Sequence, residues 1–145
     1  MDRLRNWADR KADLPPQEAL EFAERNLDRQ IRIYGPDGGP TAVGRWNVAT
    51  KLEALGRYEE ARLLRREVIA AYGRHVGAEH PHTLSAELAL GINLAKSGLC
   101  DDARTLFEHV LEHGRRVLPP DDETTKTASR WLASLDRGKG TSEEK

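Results

Sequence analysis

The chain has 145 residues, of which 32% are charged and 38% hydrophobic, with a formal net charge of −1. That length suits a single domain with one core, and the near-neutral balance argues against a duplex nucleic-acid binder, which carries a basic excess. No apolar run approaches the roughly 18 residues that cross a bilayer, Met1-Asp2-Arg3-Leu4-Arg5-Asn6-Trp7 lacks a signal-peptide stretch, and the single Cys100 excludes an internal disulfide, so a reducing, cytoplasmic compartment is expected.

In chain order the residues read as helices, without the alternating β-branched runs of strands. Asp2–Ala12 is expected to form a short helix, interrupted at Leu14-Pro15-Pro16, and Pro16–Tyr34 a long one. From Val43 to Leu55 the apolar residues Val43, Trp46, Val48, Leu52 and Leu55 recur at helical spacing. Gly56 stands where a C-terminal glycine ends such a helix. Tyr58–His75 follows, with Ala61, Leu64, Val68, Ile69 and Tyr72 on its apolar side. Glu59, Glu60, Arg62, Arg65, Arg66 and Arg74 read as its solvated face. After Gly77, His80-Pro81-His82-Thr83 starts the next helix, proline being tolerated in a first turn. Helices are expected over His82–Ser97, Asp101–Val117 and, beyond Pro119-Pro120, Asp122–Leu135. Residues 136–145 are polar and glycine-containing, and are expected as a disordered tail.

These helices repeat. Ala19, Ala61 and Ala103 stand 42 residues apart, as do Thr41, Thr83 and Thr125, and Gly35, Gly77 and Pro119. A fixed period in this range marks a solenoid of stacked helical hairpins, because one short hairpin cannot cover its own apolar face. Ala49, Gly91 and Ala133 share one repeat position, and Ala61 and Ala103 another. Small residues there indicate close helix approach. Glycine at 91, mid-helix, costs about 1 kcal/mol of propensity, so a packing requirement is expected at that position.

Leu90-Gly91 with Leu94, then Gly98, then Ala103 with Phe107, follows the spacing of the tetratricopeptide repeat family, which the chain resembles over about residues 16–135. Gly56-Arg-Tyr-Glu-Glu-Ala61 is similar to one of its turn sequences. The 42-residue period and Gly77-Ala-Glu-His-Pro-His-Thr-Leu84 resemble its kinesin-light-chain-like type. The paired asparagines common in that type are only half present, as Trp46-Asn47 in one copy, Leu88-Ala89 in the next and Arg130-Trp131 in the third. The resemblance implies an all-α, right-handed solenoid of six to seven helices. Its parts would be a partial repeat (1–35), repeats at 36–77 and 78–119, and a terminal helix (120–135), together one domain over 1–135.

The resemblance also implies a concave wall lined by the first helix of each hairpin. It would present Val43, Trp46, Asn47 and Thr50, then Ser85, Leu88, Ala89, Ile92 and Lys96, then Thr127, Arg130, Trp131 and Ser134. Asn47 matches an asparagine that holds a bound peptide's backbone, a task suited to a carboxamide that both donates and accepts. Trp46 and Trp131 admit two readings. They are apolar anchors for a partner, or they are core side chains beneath the neighbouring hairpin. The expected function is non-catalytic binding of a partner protein's peptide segment, with Trp46, Asn47, Thr50, Leu88, Ile92, Lys96, Arg130 and Trp131 as the contact residues. A homodimeric scaffold joined through Trp131, Leu132 and Leu135 is an alternative, and a small accessory enzyme a second.

Other candidates carry little chemistry. His109 and His113 lie one turn apart, but no third ligand or His-Glu-x-x-His motif accompanies them, so no metal is expected. His80 and His82 read as loop-capping residues. Cys100 reads as a buried, inert thiol. Asp101-Asp102 and Asp121-Asp122-Glu123 favour helix N-termini. No phosphate loop, nucleophile elbow or dinucleotide fingerprint occurs, so no cofactor is expected. The doublets Arg65-Arg66 and Arg115-Arg116 sit beside acidic residues, which argues against nucleic acid.

Overall fold

The computed structural model describes residues 14–143. Six helices run through them: α1 Pro16–Tyr34, α2 Gly39–Ala54, α3 Tyr58–His75, α4 Pro81–Lys96, α5 Cys100–Val117 and α6 Glu123–Glu143. No strand occurs among the described residues. The helix expected over Asp2–Ala12 lies outside them. α3 has the expected bounds, whereas α2 begins earlier, at Gly39, with Pro40 in its first turn. α6 runs past Leu135 into the segment expected as a tail, as far as Glu143. Glycines at 138 and 140 weaken helix propensity there without removing a backbone donor.

The punctuation has a physical cause at each turn. At the end of α2, Arg57 N–H donates to Leu52 O (2.9 Å) and Gly56 N–H to Glu53 O (3.0 Å). At the end of α4, Leu99 N–H donates to Leu94 O (2.9 Å) and Gly98 N–H to Ala95 O (3.2 Å). This paired closure needs a left-handed residue, and Gly56 (φ 76°) and Gly98 (φ 87°) supply it. Between hairpins a buried threonine does the work. Thr41 and Thr83 each donate their hydroxyl, to Gly35 O and Gly77 O respectively, both at 2.7 Å. The third copy departs from this. Pro119 cannot adopt the left-handed turn, and Thr125 donates instead to Asp122 O at 2.9 Å. His80 caps α4, its Nδ1 accepting from His82 N–H at 3.1 Å, as the capping reading anticipates.

Each helix packs on the next in sequence, and α4 also touches α6. That skip-one contact puts alternate helices on the same wall, as a solenoid requires. The apolar interior is divided in two. One cluster joins Leu20 and Ala23 of α1 to Val48, Ala49 and Leu52 of α2 and Ala61 of α3. The other joins Leu90 and Leu94 of α4 to Ala103, Phe107 and Val110 of α5 and Ala128 of α6. Ala61 and Ala103 are fully buried, consistent with close approach. The expected packing constraint at Gly91 is a specific one: a Cβ there would lie 2.7 Å from the Phe107 ring.

Two expectations are corrected. Arg65 is not on a solvated face but is 5% exposed, because it faces Glu53 across the α2–α3 seam. Cys100 is exposed rather than buried, since it opens α5 at a turn.

Candidate functional site

Between the two apolar clusters lies a polar node built from three helices. Arg65 on α3 donates through Nη2 to Glu53 Oε1 of α2 (2.5 Å) and to Thr50 Oγ1 (3.2 Å). Its guanidinium lies 4.8 Å over the Trp46 ring. Nη1 makes no hydrogen bond, and the negative face of the indole offsets its charge. Asn93, buried in α4, donates through Nδ2 to Glu53 Oε2 (2.8 Å) and to Tyr58 O (3.1 Å). Its Oδ1 accepts from Arg62 Nε (3.1 Å), and Arg62 Nη2 also donates to Ser97 Oγ (2.7 Å). A buried charge is tolerated only when paired and hydrogen-bonded, and this arrangement satisfies that for both Arg65 and Glu53.

The node floors a cleft of about 250 Å³ between α2 and α4, lined by Thr50, Glu53, Tyr58, Ile92, Asn93 and Lys96. Three of the expected contact residues, Thr50, Ile92 and Lys96, therefore meet in one place. Asn47 opens instead onto a second cleft, of about 300 Å³ between α1 and α2, with Phe22, Asn26, Gln30 and Lys51. Gly44 lets Gln30 lie against α2, since a Cβ there would sit 1.9 Å from Gln30 Oε1.

The other expected contacts lie elsewhere. Trp46 is half-buried under Arg65. Leu88 is half-buried against the second apolar cluster. Trp131 packs on that same cluster, stacked on Phe107 with ring centroids 5.9 Å apart. Arg130 is exposed and donates to Thr127 Oγ1 (3.0 Å), so it does not converge with the α2–α4 cleft. Sequence reasoning missed Glu53, Tyr58, Arg62, Arg65 and Asn93. A buried asparagine on a largely apolar helix and a buried arginine on a charged one leave no periodic signal. Their only sequence trace is that Arg65 stands at the repeat position of the apolar Phe107. Among the described residues no group of three or more His, Cys, Asp or Glu side chains could hold a metal ion. Among them, too, no helix is long and apolar enough to cross a membrane.

A sequence model of the tetratricopeptide repeat matches residues 47–82, which run from α2 through α3 into α4. That segment matches one tetratricopeptide repeat. Solved structures repeat the whole arrangement. The nearly identical TPR-like repeats assigned to a kinesin light chain of Podosopora anserina superpose with a TM-score of 0.79 at 23% identity, over 98% of this chain and 69% of that one. BtubC (BKLC) from P. vanneervenii gives 0.77 at 18% identity, over 86% of this chain and 50% of that one. At these identities the likeness is one of fold. None of the curated proteins matches the sequence. The tetratricopeptide fold accounts for the alternation of helices and for the kinesin-light-chain-like period of 42.

Proposed function

We propose that the chain is a non-catalytic protein-interaction module whose α2–α4 wall holds an extended segment of a partner protein. The observation that carries the reading is the convergence of Thr50, Ile92 and Lys96 on one cleft, floored by side chains that are already hydrogen-bonded to one another. A floor fixed in this way is preorganised, which lowers the ordering cost of binding. Asn47 and Lys51 continue the same helix into the neighbouring cleft, so a segment lying along α2 meets a carboxamide and an ammonium. Glu53 is engaged by Arg65 and Asn93, so it is poorly placed to act as a base, and this supports recognition over chemistry.

The end helix favours this module over a homodimeric scaffold. Trp131, Leu132 and Leu135 pack inward on the second cluster, while Lys126, Ser129, Arg130 and Ala133 are exposed. A polar outer face is what a solenoid end needs for solubility.

The test is selection of peptides from a display library against the full chain, followed by titration of the selected peptide. Lys96→Glu should weaken it at least tenfold. Asn47→Ala should cost about 1 kcal/mol, the value of one hydrogen bond. A peptide whose affinity neither change moves would refute the assignment of this wall.

A further inference from the structure

The two complete hairpins are clasped at the same repeat position by opposite chemistry. In the first, Arg45 of α2 meets Glu67 of α3 at 3.0 Å, with side-chain exposures of 14% and 55%. In the second, 42 residues on, Glu87 of α4 meets His109 of α5 at 3.2 Å, with exposures of 13% and 43%. The place and burial pattern are the same. The buried member has changed from a cation to a carboxylate, and the exposed member from a carboxylate to an imidazole. An arginine–glutamate pair stays charged throughout the neutral range, whereas an ordinary imidazole gains or loses its charge roughly between pH 5 and 8. We propose that Glu87 and His109 form a proton-dependent clasp that holds α4 to α5 when His109 is charged and loosens when it is neutral, with the Arg45–Glu67 pair as its pH-independent counterpart.

The surroundings support this division. Glu87 Oε2 is buried without a well-formed hydrogen bond, and His109 Nε2 lies 3.2 Å from it. Burial holds the Glu87 carboxyl above its usual range, with His109 and then His113 acting in the opposite direction. Asp102 lines the same open cleft as Glu87 and His109, adding negative charge beside the pair. His113 stacks on His109 with centroids 4.1 Å apart. Its Nδ1 lies 3.1 Å from Glu79 and 2.7 Å from Arg116 Nη2. Glu87 and His109 pair with each other across the α4–α5 seam.

The sign follows from linkage. A carboxyl whose folded-state affinity for protons is raised contributes stability that is present at low pH and lost as pH rises through its folded value. The proposed clasp, whose attraction needs a charged imidazole, has the same sign, so the hairpin is expected to be tighter near pH 6 than near pH 8.

The experiment is thermal unfolding of the full chain at about pH 6 and pH 8, roughly the ends of the imidazole range. It compares the wild type with a double variant, Glu87→Arg with His109→Glu, which installs the first hairpin's pair. The wild type should melt a few degrees lower at the higher pH, and the double variant should lose at least half of that difference. An undiminished difference overturns the proposal. Amide exchange on the wild type, corrected for intrinsic rates, gives an independent reading should the variant fail to fold. Protection should fall with pH in α4 and α5 relative to α2 and α3. An equal change in both hairpins also overturns it.

Discussion

The hairpins α2–α3 and α4–α5 share a backbone and differ in what fills the seam between their helices. In the first, Ala49 faces a seam holding Arg65, Glu53 and Trp46. In the second, the same three repeat positions are Phe107, Ala95 and Leu88, and Gly91 replaces Ala49. The substitutions are matched. A phenyl ring fills the second seam so fully that the facing residue must lack a Cβ, while the first seam stays open enough for alanine and closes through an ion pair and a cation–π contact. One solenoid position thus accepts either a packed hydrocarbon or a satisfied charge, provided its neighbours change with it. A polar seam also leaves a hydrogen-bonded floor for the α2–α4 cleft, which an apolar seam does not offer.

The largest effect that would sharpen this comparison is expected from Glu53→Ala, which installs the second hairpin's residue in the first without its partner. Arg65 is then a buried charge without its carboxylate, and breaking such a pair costs about 3–5 kcal/mol. Urea unfolding with an unchanged slope would record it, and a cost below about 1 kcal/mol would mean that Arg65 finds water instead. Next in size is Gly91→Ala. Forcing a methyl against the Phe107 ring should cost about 1–3 kcal/mol. Combining it with Phe107→Leu should recover part of that loss beyond additivity, a coupling a double-mutant cycle measures. The converse change, Ala49→Gly, meets no ring and should cost only about 0.5–1 kcal/mol of helix propensity.

Of similar size is Thr83→Val, which removes the hydroxyl that closes the turn at Gly77 and should cost about 1 kcal/mol. Thr41→Val should cost at least as much, because its hydroxyl makes the same 2.7 Å contact and also reaches Gln30 O at 3.2 Å. A smaller loss at Thr41 would contradict this. The smallest effect is expected at Cys100→Ser, within about 0.5 kcal/mol. The native thiol should react with a maleimide in the folded chain, and protection from the reagent would contradict its exposure.

Helix number, helix order and most boundaries were legible in the residues themselves. Glycines at 56 and 98, prolines at 40 and 81, and threonines at 41 and 83 encode local backbone events, and local events need no distant partner. The 42-residue period likewise shows which positions face a neighbour, so Ala61, Ala103 and Gly91 could be placed at close contacts. Of the candidate site, Thr50, Ile92 and Lys96 could be placed on one wall through the tetratricopeptide resemblance, which puts the first helix of each hairpin on the same side.

The period does not say what a position meets when it gets there. Arg65 looked solvated because its own helix is rich in charge. Its burial depends on Glu53, twelve residues away, and on Asn93 from the next hairpin, which supplies a second donor to the same carboxylate. Trp131 could have faced a groove or a core, and its stacking on Phe107 decides for packing against the second cluster. The sequence by itself determined a helical stack and its repeat, because those follow from spacing along the chain. Only the tertiary structure decided which charges are buried, which indole is packed and which residues share a cleft. Those outcomes depend on the free energy of pairing groups from different helices, and a one-dimensional pattern carries no record of it.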